Sequence, residues 1–323
     1  MATREDPRPP AGIEAAGIKA AEIGTTAPQG WRARSAPLAV LLASGLAWGG
    51  TTVAGKVSTS TGHAPLGLVF WQLTISIVAL GAISAVRGRR PPVSAAALRF
   101  YLVIALIGTL LPNAASLTAT ARLPAGIIAI LLSSVPMFAL AVASALGAER
   151  PDLRRIAGVA LGLVGVALIL GPEASLPRPE AWPFVLIGLL APLFYGAEGA
   201  YVKLRMPTGL DPISALLGAS VVGVALLTPV LIAVPGVWVA FPGEFGPAEQ
   251  GMLVAGLLHA FAYTGYVTMV GMGGPVFASM VAYVVTVSGV LWGMALLGER
   301  HSPWVWAALA AMVIGMALVQ PRR

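Results

Sequence analysis

The sequence has no cysteine and few charged residues, and both absences restrict what the protein can be. Without cysteine there is no disulfide framework, no thiolate nucleophile and no cysteine metal site. Charged residues make up only 10% of the 323 residues, whereas a soluble domain has about 25%. Because a surface so poor in charge cannot face water over most of its area, the composition predicts an integral membrane protein.

Motifs that would indicate an enzyme or an ATP-driven pump are also missing. The sequence has no Gly-x-x-x-x-Gly-Lys-Ser/Thr loop for a nucleotide. Histidine occurs only 3 times, no His/Asp/Glu cluster has the spacing of a metal site, and no pattern indicates a catalytic pair of nucleophile and general base. We therefore expect no catalytic residues, no metal and no cofactor.

Ten apolar runs of membrane-spanning length follow one another along the chain. Hydrophobic residues make up 57% of the sequence, and a helix needs about 20 apolar residues to cross a bilayer. The runs are rich in Ala, Leu and Gly and do not alternate at period two, which favours helices over the strands of a barrel. The predicted fold class is an all-α integral membrane protein. The predicted spans are residues 36–58, 64–86, 98–120, 124–147, 153–171, 182–204, 212–235, 249–270, 275–298 and 303–320.

The distribution of basic residues predicts the orientation of the chain in the membrane. If the N-terminus is cytoplasmic, 16 of the 20 Lys and Arg residues lie on the cytoplasmic side. This bias is typical of inner loops and accounts for the net charge of +7 without nucleic acid as a partner. We therefore predict a multi-pass protein of a bacterial-type inner (cell) membrane with both termini cytoplasmic. Residues 1–35 carry scattered charges among Pro, Ala and Gly and are predicted to form a disordered cytoplasmic tail.

The second half of the chain repeats the first. A shift of 150 places Glu149 on Glu299, and a shift of 147 places Trp48-Gly49 on Tyr195-Gly196. The matches occur at both ends of a unit and in the same order, which indicates an internal duplication.

Each unit contains five spans. Because five is an odd number, the second unit enters the membrane from the opposite side and the repeats are inverted. Inverted repeats are typical of transporters, whose site lies near the midplane between them. We predict a first repeat over residues 36–171 and a second repeat over residues 172–323.

These residues resemble the drug/metabolite transporter superfamily of the EamA type. The resemblance rests on Leu46-Ala47-Trp48-Gly49 in the first span, on its echo Leu193-Phe194-Tyr195-Gly196 in the sixth, and on Gly298-Glu299-Arg300 before the last, Gly-rich span. It covers residues 36–320. It implies ten helices with both termini inside, spans 1–4 and 6–9 around a central cavity, spans 5 and 10 at the periphery, and often export of amino acids or related metabolites.

Glu198 is an ionisable residue within the sixth span. Such groups are costly at membrane depth and usually face a cavity or a partner. We interpret Glu198 as a site for a substrate ammonium group or for proton coupling. The alternative is that it reaches the cytoplasmic interface or pairs with Lys203 or Arg205.

His259, Tyr263 and Tyr266 lie on one face of the eighth span, because they are four and three residues apart. The imidazole titrates near physiological pH and is the second candidate for proton coupling. The tyrosines offer rings and hydroxyls to a substrate. The alternative is a hydrogen-bonded contact between helices.

The remaining substrate-binding candidates are polar or aromatic residues inside other spans. Asn113 follows Pro112, which removes a backbone donor and can expose a carbonyl to a cavity; the alternative for Asn113 is a hydrogen bond between helices. The others are Trp48, Gln72, Tyr195 and Tyr283.

Glu149 and Glu299 close the fourth and ninth spans on opposite sides of the membrane. They are interpreted either as paired gates or as residues that fix the turn to the next helix.

The predicted function is secondary transport by alternating access at a central cavity between the repeats. A membrane enzyme and a channel are the alternatives from other classes, and neither has a motif to support it. An aromatic cavity with one carboxylate favours export of amino acids or related small organic metabolites. A sugar-phosphate or a drug/cation transporter of the same fold is the alternative; phosphate requires several basic side chains, and only Lys56 and Arg122 are candidates. The expected partners are a small-molecule substrate, namely amino acids, and the lipid bilayer, and the oligomeric state does not follow from these features.

Overall fold

A computed structural model of the protein describes residues 31–147, 149–171, 176–234, 236–237 and 245–320. Side chains are described from residue 36 onward, except at residues 270, 271 and 273–276. The helices are α1 Trp31–Thr59, α2 Pro65–Val86, α3 Ala95–Ile104, a π-helical turn Ala105–Leu110, α4 Leu111–Thr120, α5 Ala125–Leu132, α6 Val135–Ala145, α7 Leu153–Leu170, a 3₁₀ turn Pro179–Ala181, α8 Trp182–Arg205, α9 Pro212–Ala233, α10 Pro247–Ser279, α11 Val281–Leu297 and α12 Pro303–Val319.

The predicted all-helical membrane fold is confirmed. Within the described ranges, nine helical stretches are long and apolar enough to cross a membrane, and Pro303–Val319 is a shorter apolar helix. Each coincides with a predicted span to within a few residues, but α10 continues without a break through the turn predicted between the eighth and ninth spans and ends at Ser279. The predicted tail falls largely outside the described residues, because residues 1–30 are not among them; α1 begins at Trp31, inside the range predicted as tail.

Local sequence signals explain where several helices begin. Asp152 accepts a hydrogen bond from the N–H of Arg155, and Asp211 accepts one from the N–H of Ser214, so that each carboxylate caps the first turn of its helix. The helix α9 also starts with Pro212, whose missing N–H costs nothing at a position where the N–H has no partner within the helix.

The helices of the two halves pack in an exchanged pattern. The helix α1 packs against α10 and α11, and its counterpart α8 packs against α4, α5 and α6. The pairs α2–α9, α5–α11 and α7–α12 join counterparts directly. Every major contact therefore has an equivalent in which the two halves change roles.

Glycines at the α7–α12 contact show the same equivalence between the two halves. A Cβ added to Gly158 would lie 2.7 Å from the carbonyl oxygen of Gly315, and one added to Gly165 would lie 3.3 Å from the carbonyl oxygen of Ala308. A shift of 150 converts the pair 158–315 into the pair 308–165. The small residues thus bring the two helices together within the chain.

Candidate substrate site

Glu198 of α8 lies against the π-helical turn of the third span. A Cβ added to Gly108 would lie 2.5 Å from Glu198 Oε1 and 2.6 Å from its Cδ. Only a residue without a side chain leaves room for the carboxylate at this place. Gly108 therefore fixes how closely the carboxylate approaches the backbone of the turn.

The π-helical turn itself departs from the usual helical register. Leu111 donates its N–H to the carbonyl oxygen of Leu106, five residues earlier. Pro112 has no N–H to give to the carbonyl of Ile107, the acceptor that the same register would assign to it. The predicted effect of Pro112 thus falls on a carbonyl next to Gly108, at the position of Glu198.

Four predicted residues form an aromatic group between α1 and α10. Trp48 donates from Nε1 to His259 Nδ1 at 3.3 Å, and its ring centroid is 5.8 Å from that of Tyr266. The rings of His259 and Tyr263 stack with centroids 6.4 Å apart and an interplanar angle of 24°. The hydroxyl of Tyr263 donates to the carbonyl oxygen of Pro212 at 3.2 Å, which connects this group to the start of α9.

A second polar pair joins α8 to α4. The hydroxyl of Tyr195 donates to Asn113 Oδ1 at 3.2 Å. Both residues are half-buried, and each belongs to a different half of the chain. The hydrogen bond between helices that was the alternative for Asn113 is therefore present.

The carboxylate of Glu198 interacts with members of both groups. It interacts electrostatically with the hydroxyls of Tyr195, Tyr263 and Tyr266. The predicted alternative of a pair with Lys203 is not observed, because Lys203 Nζ donates to Glu149 Oε1 at 3.4 Å. A half-buried carboxylate that interacts with tyrosine hydroxyls and has no ion pair among the described residues is suited to hold an ammonium group.

Two predicted residues lie apart from this arrangement. Tyr283 packs against the apolar core cluster to which α5, α7 and α12 contribute, and it interacts electrostatically with Arg154 of α7. Gln72 is half-buried where α2 approaches α10. Its backbone carbonyl oxygen lies 3.5 Å from a Cβ added to Gly256. No hydrogen bond among the described residues joins either side chain to Glu198.

Sequence reasoning missed Gly108. The sequence signal was its position four residues before Pro112. Pro112 lacks a backbone N–H and Gly108 lacks a side chain, and the two residues lie on adjacent turns of one helix. The partner of this glycine, Glu198, comes from the other half of the chain, so that no local pattern indicates the contact.

The two basic residues considered for phosphate are engaged elsewhere. Lys56 Nζ donates to the carbonyl oxygen of Thr120 at 2.8 Å, and the guanidinium carbon of Arg122 lies 5.6 Å from the ring centroid of Phe184. In the part of the chain that the structure describes, no group of three or more His, Asp or Glu residues is placed to hold a metal ion.

Two apolar grooves lie on the outside of the bundle. A groove of about 320 Å³ separates α2 from α10 near Trp71 and Leu253, and one of about 550 Å³ lies between α1, α10 and α11 near Leu46 and Trp292. Neither is lined by Glu198, His259 or the tyrosines around them. Their apolar lining suits contact with lipid rather than with a polar substrate.

Comparisons with known proteins give a family, two similar curated proteins and a similar solved structure. The EamA-like transporter family matches residues 36–171 and again residues 182–320. The proteins named "Uncharacterized inner membrane transporter YedA" from Escherichia coli strain K12 and from Escherichia coli O157:H7 are each 27% identical to this chain over 287 residues, which is 86% of this chain and 89% of theirs. A solved crystal structure of a protein covers 88% of this chain and 96% of its own, with a TM-score of 0.57 and 20% identity. At that identity the likeness to the solved structure shows the fold alone.

Proposed function

Because the chain belongs to the EamA-like transporter family and is a multi-pass membrane protein, we propose that it exports amino acids or related small organic metabolites across the inner membrane by alternating access. The observation that supports this proposal is the carboxylate of Glu198, which has no hydrogen bond or salt bridge among the described residues and interacts with the hydroxyls of three tyrosines. The proposed site takes residues from both halves of the chain, and an inverted-repeat transporter binds its substrate between its repeats.

The surroundings of Glu198 suit a zwitterion. Its carboxylate pairs with the substrate ammonium group, and the rings of Trp48 and Tyr266 offer faces to the same cation. The amide of Asn113 has donors for the substrate carboxylate, since its Oδ1 is already accepting from Tyr195. Apolar substrate side chains of different size then contact the helices around the site, which gives broad selectivity.

Glu198 and His259 are the two residues proposed to couple transport to protons. A proton and a cationic substrate compete for one carboxylate, so that entry of a proton from one side releases the substrate. His259 accepts from Trp48 at Nδ1 and keeps Nε2 to carry its hydrogen.

A lipophilic cation is the second candidate substrate. The same combination of one carboxylate and several aromatic rings favours it, whereas sugar phosphates are disfavoured because Lys56 and Arg122 are engaged by Thr120 and Phe184.

The test is counterflow in liposomes that contain the purified protein and an excess of unlabelled amino acids. We expect saturable uptake of labelled amino acids, competed by other amino acids and changed by a pH gradient. Glu198→Gln is expected to abolish that exchange, while the exposed Glu180→Gln is the matched control and keeps it. Exchange of phosphorylated sugars without exchange of amino acids would refute the proposed substrate class, and normal exchange by Glu198→Gln at every pH would remove Glu198 from the site.

A further inference from the structure

The two ends of the molecule differ at positions that the internal repeat makes equivalent. A shift of 147 places Lys56 on Lys203, and a shift of 150 places Glu149 on Glu299. Glu299 is 11% exposed, whereas Glu149 is 30% exposed and Lys203 is 72% exposed. The Glu299 end is therefore closed more tightly than the Glu149 end.

Glu299 caps the first turn of α5, a helix of the other half. The N–H of Ala125 donates to Oε1 at 2.6 Å, and the N–H of Gly126 donates to Oε2 at 3.0 Å. The negative carboxylate faces the positive end of the helix dipole. Behind it lies His301, only 2% exposed, with Nε2 3.5 Å from Glu299 Oε2 and 2.5 Å from a Cβ added to Gly126. This contact holds the loop before α12 onto α5.

The end of α1 is fastened to two other helices at the same place. Lys56 Nζ donates to the carbonyl oxygen of Thr120 at the end of α4 and interacts electrostatically with Glu299. Ser58 is fully buried and donates from Oγ to the carbonyl oxygen of Ala248 in α10 at 3.2 Å. Gly55 leaves room for Leu117, whose Cδ2 lies 3.3 Å from a Cβ added there.

The contacts that the structure describes at the equivalent end of α8 are different. Lys203, Leu204 and Arg205 are exposed, and Lys203 donates to Glu149 Oε1. The positions equivalent to Gly55 and Ser58 hold Val202 and Arg205, which are too large for the same close contact. The two ends therefore differ in sequence as well as in structure.

From this asymmetry, and resting on the proposed transport function, we infer that Glu299 and Lys56 latch a closed gate at one end of the substrate site while the equivalent Glu149 and Lys203 end stands open. The distribution of basic residues assigns the closed gate to the outer side and the open gate to the cytoplasm. The small residues Gly55 and Ser58 make the closed outer gate the preferred state without substrate. Outward release then requires that Glu299 leave the N-terminus of α5.

The natural absence of cysteine makes the test direct, because a single introduced cysteine is the only thiol. Ser58→Cys, nearly isosteric, reports on the closed gate, and Ser60→Cys, exposed two residues later, is the matched control at the same end. Arg205→Cys reports on the open end. Each variant is treated with a charged, membrane-impermeant thiol reagent in intact cells and in inverted membrane vesicles.

We expect Ser58→Cys in intact cells to react at least about tenfold more slowly than Ser60→Cys, since its rate follows the population of the open state. Arg205→Cys is expected to react readily in inverted vesicles. Equal rates for Ser58→Cys and Ser60→Cys, or protection of Arg205→Cys in inverted vesicles, would overturn the inference.

Release of the latch is tested by a second substitution in the Ser58→Cys chain. Glu299→Gln, and separately Lys56→Met, are expected to raise the reaction rate toward that of Ser60→Cys, while Glu149→Gln leaves it unchanged. If both latch variants are monodisperse and the rate stays low, Glu299 and Lys56 are not the latch. The labelling experiment needs no substrate, so its result is independent of counterflow. If labelling is as expected but no substrate is exchanged in any counterflow assay, the proposed function is refuted and the gate assignment stands.

Discussion

The carboxylate of Glu198 occupies the space that a side chain on Gly108 would fill, with Oε1 2.5 Å from the position of the missing Cβ. One residue belongs to α8 and the other to the π-helical turn between α3 and α4. Glu198 is the only glutamate among the described residues of α8. It contacts a stretch of backbone in which Pro112 lacks the N–H that would donate a hydrogen bond. The proposed site therefore depends on a glycine as much as on its charged residue.

Gly108→Ala is expected to move the Glu198 carboxylate and to lower amino-acid exchange by roughly tenfold or more, because small displacements of a binding group have large effects. The atoms in the way are the far end of a flexible side chain, so we expect the free energy of unfolding to change by less than about 1 kcal/mol. Counterflow and thermal unfolding in detergent measure the two effects. Gly199→Ala, where an added Cβ meets nothing within 4 Å, is the matched control in α8; a loss of exchange in both variants would contradict the explanation.

Gly49 and Gly196 are repeat-equivalent, and each lies at a close crossing with the other half. A Cβ on Gly196 would lie 2.6 Å from Ala139 N, and one on Gly49 would lie 2.8 Å from Gly289 N. We expect Gly196→Ala and Gly49→Ala each to lower the free energy of unfolding by about 1–3 kcal/mol through overpacking.

The measurement is the thermal unfolding midpoint in detergent for both variants. The control is Gly81→Ala in α2, where an added Cβ has no neighbour within 4 Å. Unchanged midpoints for Gly49→Ala and Gly196→Ala would show that the helices separate at these crossings without cost.

Tyr195→Phe and Tyr101→Phe remove the same hydroxyl from different surroundings. The hydroxyl of Tyr195 is bonded to Asn113, whereas that of Tyr101 is buried with no partner among the described residues. We expect Tyr195→Phe to destabilise the protein by about 0.6 kcal/mol. Tyr101→Phe should leave stability unchanged or raise it, since it removes an unpaired polar group. Destabilisation by Tyr101→Phe in thermal unfolding would reveal a partner for its hydroxyl.

Glu149 should stabilise the protein in a pH-dependent way. The hydrogen bond from Arg155 holds the pKa of the Glu149 carboxyl below its usual range; burial opposes this shift, and Lys203 adds to it weakly because it is 72% exposed. Since the pKa is lowered on folding, the contribution is present above the unfolded pKa of about 4.3 and is lost as the pH falls through the folded pKa. The midpoint difference between the natural chain and Glu149→Gln should shrink over that interval, and a constant difference would contradict the ion pair.

His301 should also make the free energy of unfolding depend on pH, in a higher pH range than Glu149. Burial lowers its pKa, while Glu299 raises it in part. As the pH falls through about 6.5, His301 binds a proton in the unfolded chain but not yet in the folded protein. The free energy of unfolding therefore declines. His301→Gln should show a smaller decline in unfolding midpoint between about pH 7.5 and pH 5.5. An identical decline in both proteins would show that His301 takes up its proton in the folded state at its usual pKa.

Most residues of the proposed site could be named from the sequence, but their arrangement could not. Glu198, His259 and Tyr263 were recognised because ionisable and aromatic residues inside apolar spans are conspicuous. Tyr283 has the same appearance in the sequence and packs against another cluster, with Arg154. Position along a span gives the depth of a residue but does not give the neighbour that its helix face meets.

The sequence by itself determined the helical spans and the internal repeat, because apolar length and residue order are local properties. It did not determine that Glu198 lies on Gly108, that Glu299 caps α5, or that the two equivalent ends differ in closure. The contacts of Glu198 with Gly108 and of Glu299 with α5 join residues from different halves, and only the crossing of packed helices brings them within a few ångströms of one another. The tertiary structure decided them because close packing, unlike hydropathy, depends on which helix faces meet.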